Sequence, residues 1–354
     1  MNVSKLALIH HPSFIIAPAT RSSSFKNVIN EFQQIIRAYR KTDFSQRKAA
    51  LATVVGLSGS GYRRPGARMY ITDDGQWIGA ISGGCLEGDA LRKAREVMQT
   101  RQARLVTYDT SDPEGENFGI GLGCNGVLDV LIQSIDPNDS KNPLETLDRV
   151  MQDRRPLIFE TALPDGAGVF VEELKPDIQL LVFGGGYDAV PLVKLAKQIG
   201  WRVVITDDCV AHLQPRRFGE ADDMLAVQRH EIRQQIPIDA YSAAVLISHN
   251  FKYDKAVLQE LLQTEIPYIG LLGPKKRGDA LLDDVRDFVA PTDERRLFWP
   301  VGLDVGADNP QEIALSILAE IQAVFRKSSA QPLKFKNAPI HQPVQSISTS
   351  VDLT

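Results

Sequence analysis

The spacing of apolar positions changes several times along the chain, and each change marks an element. Val28, Ile29, Phe32, Ile35, Ile36 and Tyr39 recur three or four residues apart, which predicts a first helix ending near Arg40. Residues 49–57 are a short unbroken apolar run, read as a buried strand. Residues 68–72 and 76–81 flank Asp73-Asp74-Gly75, so they read as a hairpin whose Asp-Gly pair supplies the positive φ of a tight turn. A helix is predicted over 87–100, and strands over 104–108 and 127–132. A polar loop at 136–142 leads to a helix over 144–154 and two strands, 157–162 and 168–174. Pro176-Asp177 marks a boundary. After it, strands at 179–183, 202–206, 243–248 and 268–272 alternate with amphipathic helices, which implies a parallel sheet with right-handed crossovers. A last helix, 310–325, starts after Asp308 and Asn309, either of which can cap it.

These patterns predict an α/β protein in four parts. A disordered extension (1–27) precedes an N-terminal α+β domain (28–177). A parallel-sheet domain (178–327) follows, and then a Ser-, Pro- and Gln-rich tail (328–354) with the composition of disorder. With 43% hydrophobic and 24% charged residues, the chain can fill two cores. A net charge of −4 argues against a general nucleic-acid binder. No apolar run is long enough to cross a membrane, and residues 6–19 are too interrupted by His and Pro for a signal peptide. The three cysteines, Cys85, Cys124 and Cys209, form no disulfide framework and no zinc spacing, which points to a reducing, cytoplasmic setting.

Glycine-rich turns carry the candidate chemistry. Gly59-Ser60-Gly61-Tyr62-Arg63-Arg64-Pro65-Gly66-Ala67 joins two strands. Its amides, with Ser60, Arg63 and Arg64, suit a phosphate, although the same residues also suit a solvated loop. Ser82-Gly83-Gly84-Cys85-Leu86-Glu87 opens a helix, where a thiolate is stabilised and can meet a soft metal or accept sulfur. Gly121-Leu122-Gly123-Cys124-Asn125-Gly126 places a second thiol in a similar turn. Each cysteine could equally be a small buried hydrophobe. Cys209 lacks a glycine setting and reads as structural.

In the second half, Gly184-Gly185-Gly186-Tyr187-Asp188-Ala189 follows a strand, opens a helix and fits Gly-x-Gly-x-x-Ala, so this domain is expected to be Rossmann-like. Asp207, at the end of the next strand, stands where an acid would meet a ribose hydroxyl. Asp188 is well placed for the helix dipole but would repel a pyrophosphate. The turn therefore holds either a nucleotide-like ligand or only a helix capped by its own carboxylate. His249 follows a strand at its carboxyl end, where open α/β sheets bind ligands. Gly273 and Lys275, with Lys276 and Arg277, begin a further helix.

Together these segments resemble the xanthine dehydrogenase accessory protein family (XdhC-like), which includes the carbon monoxide dehydrogenase accessory proteins. The resemblance runs through 59–67, 81–87 and 123–126. It continues through 183–189, Ser248-His249-Asn250, 268–273, Pro300-Val301-Gly302-Leu303-Asp304 and Pro310-Gln311-Glu312-Ile313-Ala314. It implies a chaperone that binds the molybdenum cofactor, as molybdopterin or its cytidine dinucleotide form. Such a protein supports the cofactor's sulfuration and its insertion into an apo molybdenum hydroxylase, works with a cysteine desulfurase, and is often a homodimer. It also implies that Ser82, Gly83, Gly84, Cys85, Glu87 and Cys124 face the cofactor, with the two cysteines as possible molybdenum or sulfur contacts. Many members carry His in the glycine turn and Arg after the second strand; here Tyr187-Asp188 and Cys209 make the Rossmann site less basic. The rival expectation is an NAD(P)-dependent oxidoreductase, for which His249 is the only candidate general acid near the sheet end.

Overall fold

A computed structural model describes residues 31–59, 62–109, 126–290 and 292–337. The chain forms two compact units, one built on residues 30–176 and the other on 177–332.

The N-terminal unit contains α1 (Glu31–Lys41), β1 (Ala49–Gly59), β2 (Arg68–Thr72), β3 (Trp77–Gly79), α2 (Glu87–Thr100), β4 (Arg104–Asp109), β5 (Gly126–Ile135), α3 (Pro143–Asp153), β6 (Leu157–Ala162) and β7 (Val169–Leu174). Five strands form an antiparallel sheet in the order β3-β2-β1-β5-β4. The Asp73-Asp74-Gly75 turn closes as expected, with Gly75 at φ +87. Strand β1 is buried over its first seven residues, apolar but for Thr53, because both its faces are covered there. Ala50, Ala52 and Val54 pack with Ala90, Ala94, Val97 and Met98 of α2, while Ala49 and Leu51 pack with Ile35 and Tyr39 of α1. Strands β6 and β7 pair as a separate hairpin.

The C-terminal unit contains β8 (Gln179–Phe183), α4 (Ala189–Gln198), β9 (Arg202–Asp207), α5 (Pro215–Phe218), β10 (Asp223–Ala226), α6 (Ile232–Gln235), β11 (Ser242–Leu246), α7 (Phe251–Leu262), β12 (Tyr268–Leu271), α8 (Lys275–Asp284), β13 (Leu297–Phe298) and α9 (Pro310–Phe325). All six strands are parallel, in the order β10-β9-β8-β11-β12-β13. This is a Rossmann sheet, and its winding reverses between β8 and β11. Leu180 and Val182 of β8 face the layer of α4 and α9, while Leu181 and Phe183 face that of α7 and α8. Each such side chain contributes roughly 1.5–3 kcal/mol by leaving water. Asn309, not Asp308, caps α9, in a reciprocal box with Glu312. Two strands, β10 and β13, were not expected from the sequence. The helix expected from Val28 is described only from Glu31 on, and residues 1–27 and 338–354 lie outside the described residues. No described helix is long and apolar enough to cross a membrane.

Candidate functional site

The turn that opens α2 is built from below by two buried polar side chains. Glu87 and Ser82 are each 6% exposed. The Glu87 carboxylate accepts from the Ser82 amide at 2.8 Å, from the Ile81 and Leu86 amides at 3.2 Å, and from the Ser82 hydroxyl. That hydroxyl in turn accepts from the amides of Gly84 and Leu86, both at 3.1 Å. Burial pushes the Glu87 carboxyl up, but the hydrogen bonds from Ser82, Glu87 and Ile81 outweigh it and hold the group below its ordinary value. Glu87 and Ser82 thus act as the frame of the turn, and their polar atoms face inward.

The outer face of the turn is open. Gly84 sits at φ +118, which favours glycine, and a Cβ there would meet nothing within 4 Å. Cys85 is exposed, with Sγ 3.5 Å from the Ser82 hydroxyl. The Tyr62 ring lies 3.6 Å from where a Gly83 Cβ would stand, and Tyr62 is 73% exposed. Tyr62 was not singled out from the sequence. Its only signal was an aromatic residue inside a glycine-rich turn.

Two arginines adjoin the turn. Arg63 is ion-paired with Glu31 of α1, and its Nε is buried without a partner among the described residues. Its charge is thus already matched within the chain. Burial lowers the Arg64 guanidinium from its ordinary value. Behind them, Arg68 is buried against Glu172 and the Gly66 carbonyl, and burial raises the Glu172 carboxyl despite this arginine. Ser60, Gly61 and the whole turn around Cys124 lie outside the described residues. Among the described residues no three His, Cys, Asp or Glu side chains gather as a metal site.

In the C-terminal unit the glycine turn is drawn in upon itself. Gly184 has φ +121, and a Cβ there would stand 2.5 Å from the Ser248 Cα, so β8 and β11 touch through their backbones. The Gly185 amide, a donor that a bound pyrophosphate would use, instead donates to Asp207 Oδ2 at 2.9 Å. Asp207 also accepts from the Cys209 amide at 2.9 Å and lies 3.0 Å from His212 Nδ1. The His212 carbonyl stands 2.8 Å from where a Gly185 Cβ would be. Asp207, expected to meet a ribose, is therefore committed to its own loop. Cys209, expected to be structural, is exposed and contributes its amide rather than its thiol.

Asp188 does not cap α4 with its side chain. Its Oδ2 lies 2.9 Å from His249 Nε2, across the point where the sheet reverses. His249 takes a left-handed φ of +59 and is well exposed, and Gly186 lies beside its ring. Beneath it, Ser248 donates to buried Asp254 at 2.6 Å, and Arg277 donates to the same carboxylate at 2.7 Å. Burial still leaves Asp254 above its ordinary value. Gly273 adjoins Arg277, whereas Lys275 is exposed and paired with Asp279 at 3.1 Å. Thus Gly184, Gly186, Asp188 and His249 gather at one crevice, while Lys275 serves its own helix.

Comparison with known proteins agrees with this architecture. The chain is 28% identical over 312 residues to a probable xanthine dehydrogenase subunit of Bacillus subtilis, covering 78% of this chain and 93% of that protein. It is 24% identical over 310 residues to the molybdenum cofactor insertion chaperone PaoD of Escherichia coli, covering 83% and 89% respectively. A crystal structure of a xanthine dehydrogenase from Bacillus halodurans superposes with a TM-score of 0.74 at 27% identity, over 86% of this chain and 99% of that one. Residues 180–321 match the XdhC Rossmann domain, and residues 45–109 match the XdhC and CoxI family. With both units matched in order, the chain belongs to the XdhC and CoxI family.

Proposed function

We propose that this protein is a chaperone that binds the molybdenum cofactor, supports its sulfuration and delivers it to an apo molybdenum hydroxylase of the xanthine dehydrogenase type. The observation that carries this reading is the open face of the Ser82–Glu87 turn. An exposed thiol, a glycine floor with free space above it and a rigid buried frame suit a bulky group with a soft metal end. The cofactor supplies a molybdenum–dithiolene centre for use in the client enzyme. The chain's own residues hold and shield it: Cys85, with Cys124 as its proposed companion, contacts the metal or sulfur, and Arg64 faces the phosphate. Arg63 joins it only by leaving Glu31. Asp188 and His249 of the C-terminal unit form a separate candidate contact for a ligand. A cysteine desulfurase as sulfur donor, a homodimeric assembly and a cytoplasmic location complete the proposal.

The oxidoreductase alternative needs an open dinucleotide turn, and here the Gly185 amide and Asp207 are bonded to each other. The deciding experiment is mass spectrometry of small molecules released when the purified protein is denatured, coupled to titration with molybdenum cofactor. A released pterin, with weaker binding in Cys85→Ser or Cys124→Ser, supports the chaperone. A released nicotinamide dinucleotide, with substrate-dependent change in its absorbance, refutes it.

A further inference from the structure

We infer that Tyr62 is the stacking platform for a planar heteroaromatic ligand, the pterin ring system, with Gly83 and Gly84 forming the floor beside it. The inference rests on the cofactor-binding reading above and assigns a specific residue to it.

Tyr62 is the large aromatic side chain on the rim of the open turn, 73% exposed. Single exposed aromatics are ordinary on protein surfaces, so exposure alone decides nothing. Its neighbourhood does. The ring is positioned against the α2 turn, with Cγ and Cδ1 3.6 and 3.7 Å from the site of a Gly83 Cβ. That is ordinary van der Waals distance, so the ring edge at Cγ and Cδ1 borders the turn at Gly83 without crowding it. Nothing stands within 4 Å of a Gly84 Cβ. The turn is therefore open at Gly84, the residue that follows the one bordered by the ring. The ligand's other end is fixed by chain geometry. Cys85 is two residues from Gly83, so their Cα atoms are at most about 7.6 Å apart. Tyr62 would hold the flat pyrimidinone face of the pterin, and Cys85, this close along the chain, would be within reach of its dithiolene end. The floor keeps its shape because Ser82 and Glu87 anchor it from beneath.

Stacking is tolerant of substituents, because it reads a π-face and not an edge. A tyrosine platform therefore accepts the pterin with or without metal, whereas a thiol contact distinguishes the two. This separation defines the test. Two probes are titrated into the full chain: molybdenum cofactor released from a purified molybdenum enzyme, and an oxidised pterin that carries neither dithiolene nor metal. Binding is read by quenching of pterin fluorescence for the oxidised probe and by co-elution of molybdenum for the cofactor. Tyr62→Ser is expected to weaken both probes about tenfold or more, and Tyr62→Phe to keep both within about twofold of the parent, since the π-face is retained. Cys85→Ser is expected to weaken only the metal-bearing probe. Thermal unfolding of each variant confirms that the exposed substitutions leave the fold intact. Tight cofactor binding by the parent that persists unchanged in Tyr62→Ser overturns the platform and leaves the chaperone reading standing. Failure of the parent itself to bind either probe overturns the chaperone reading and the platform with it.

Discussion

Replacing Glu87 by Gln removes one charge while keeping the side chain's size, and so isolates what holds the turn before α2. In the native chain one carboxylate oxygen accepts from the amides of Ile81 and Ser82, and the other from the Leu86 amide and the Ser82 hydroxyl. A glutamine keeps one acceptor and turns an NH2 toward two donors. Hydrogen bonds to a charged group contribute roughly 1.5–3 kcal/mol each, and a buried donor left without a partner costs a similar amount. The turn should therefore lose at least about 2 kcal/mol of local stability, a change of roughly thirtyfold in its opening equilibrium at 1.4 kcal/mol per factor of ten. Amide hydrogen exchange on a peptide covering residues 81–87 reads this directly, as protection falling by that factor at pH 7. The pH dependence has a definite sign. Because the folded Glu87 carboxyl is held below its ordinary value of 4.5, its contribution is complete above that value and is lost as the pH falls through the lower folded one. Parent protection should thus decline in acid below about pH 4.5, while the Gln variant shows no such step. Equal protection in parent and variant at pH 7, or the same acid step in both, would refute the assignment of Glu87 as the frame of the turn.

Other substitutions probe different parts. Glu31→Gln frees Arg63 from its ion pair, so binding of phosphate-bearing cofactor should tighten at low salt and the gain should shrink at high salt; a salt-independent or absent effect counts against Arg63 as a phosphate ligand. Gly184→Ala forces a Cβ to within 2.5 Å of the Ser248 Cα at a φ of +121, which should cost at least about 2 kcal/mol and shift the urea midpoint of the C-terminal unit downward. Asn309→Ala removes the α9 cap, whose side chain accepts from the amides of Gln311 and Glu312; a loss of about 1 kcal/mol should appear as a drop of a few degrees in thermal midpoint.

Much of the architecture is legible in the chain because periodicity and glycine placement are local. Strand β8 is an apolar run that stops at three glycines, and α9 is announced by a cap, a proline and a regular apolar stripe. Strand β13 escaped because two residues show no period, and β10 because its Asp-Met-Leu-Ala, unlike the fully buried Tyr-Ile-Gly-Leu of β12, is not an unbroken apolar run. They are defined by the neighbour they pair with. The site was legible as a set of glycine turns but not in its wiring. Whether Asp207 faces a ligand or its own loop depends on where Cys209–Leu213 folds back, and the partner of Asp188 is a histidine from a different strand end. Glu87 looked like a ligand because an acid beside a glycine turn suits either role. Its burial and its inward hydrogen bonds decide the matter.

The seam between β8 and β11 has a mechanical consequence. Ile247 donates to the Phe183 carbonyl at 2.9 Å, and the bare Gly184 backbone lies directly against Ser248. Asp188 and His249 are mounted a few residues beyond this joint, one on each side, like the jaws of a caliper whose hinge has been fixed. Their spacing is set before any ligand arrives. At 2.9 Å the jaws already rest on each other, so a guest that touches both would have to part that contact, with little further ordering of the loops behind it. Access between these two side chains should then depend on breaking that single contact, without any closing movement of the strand ends.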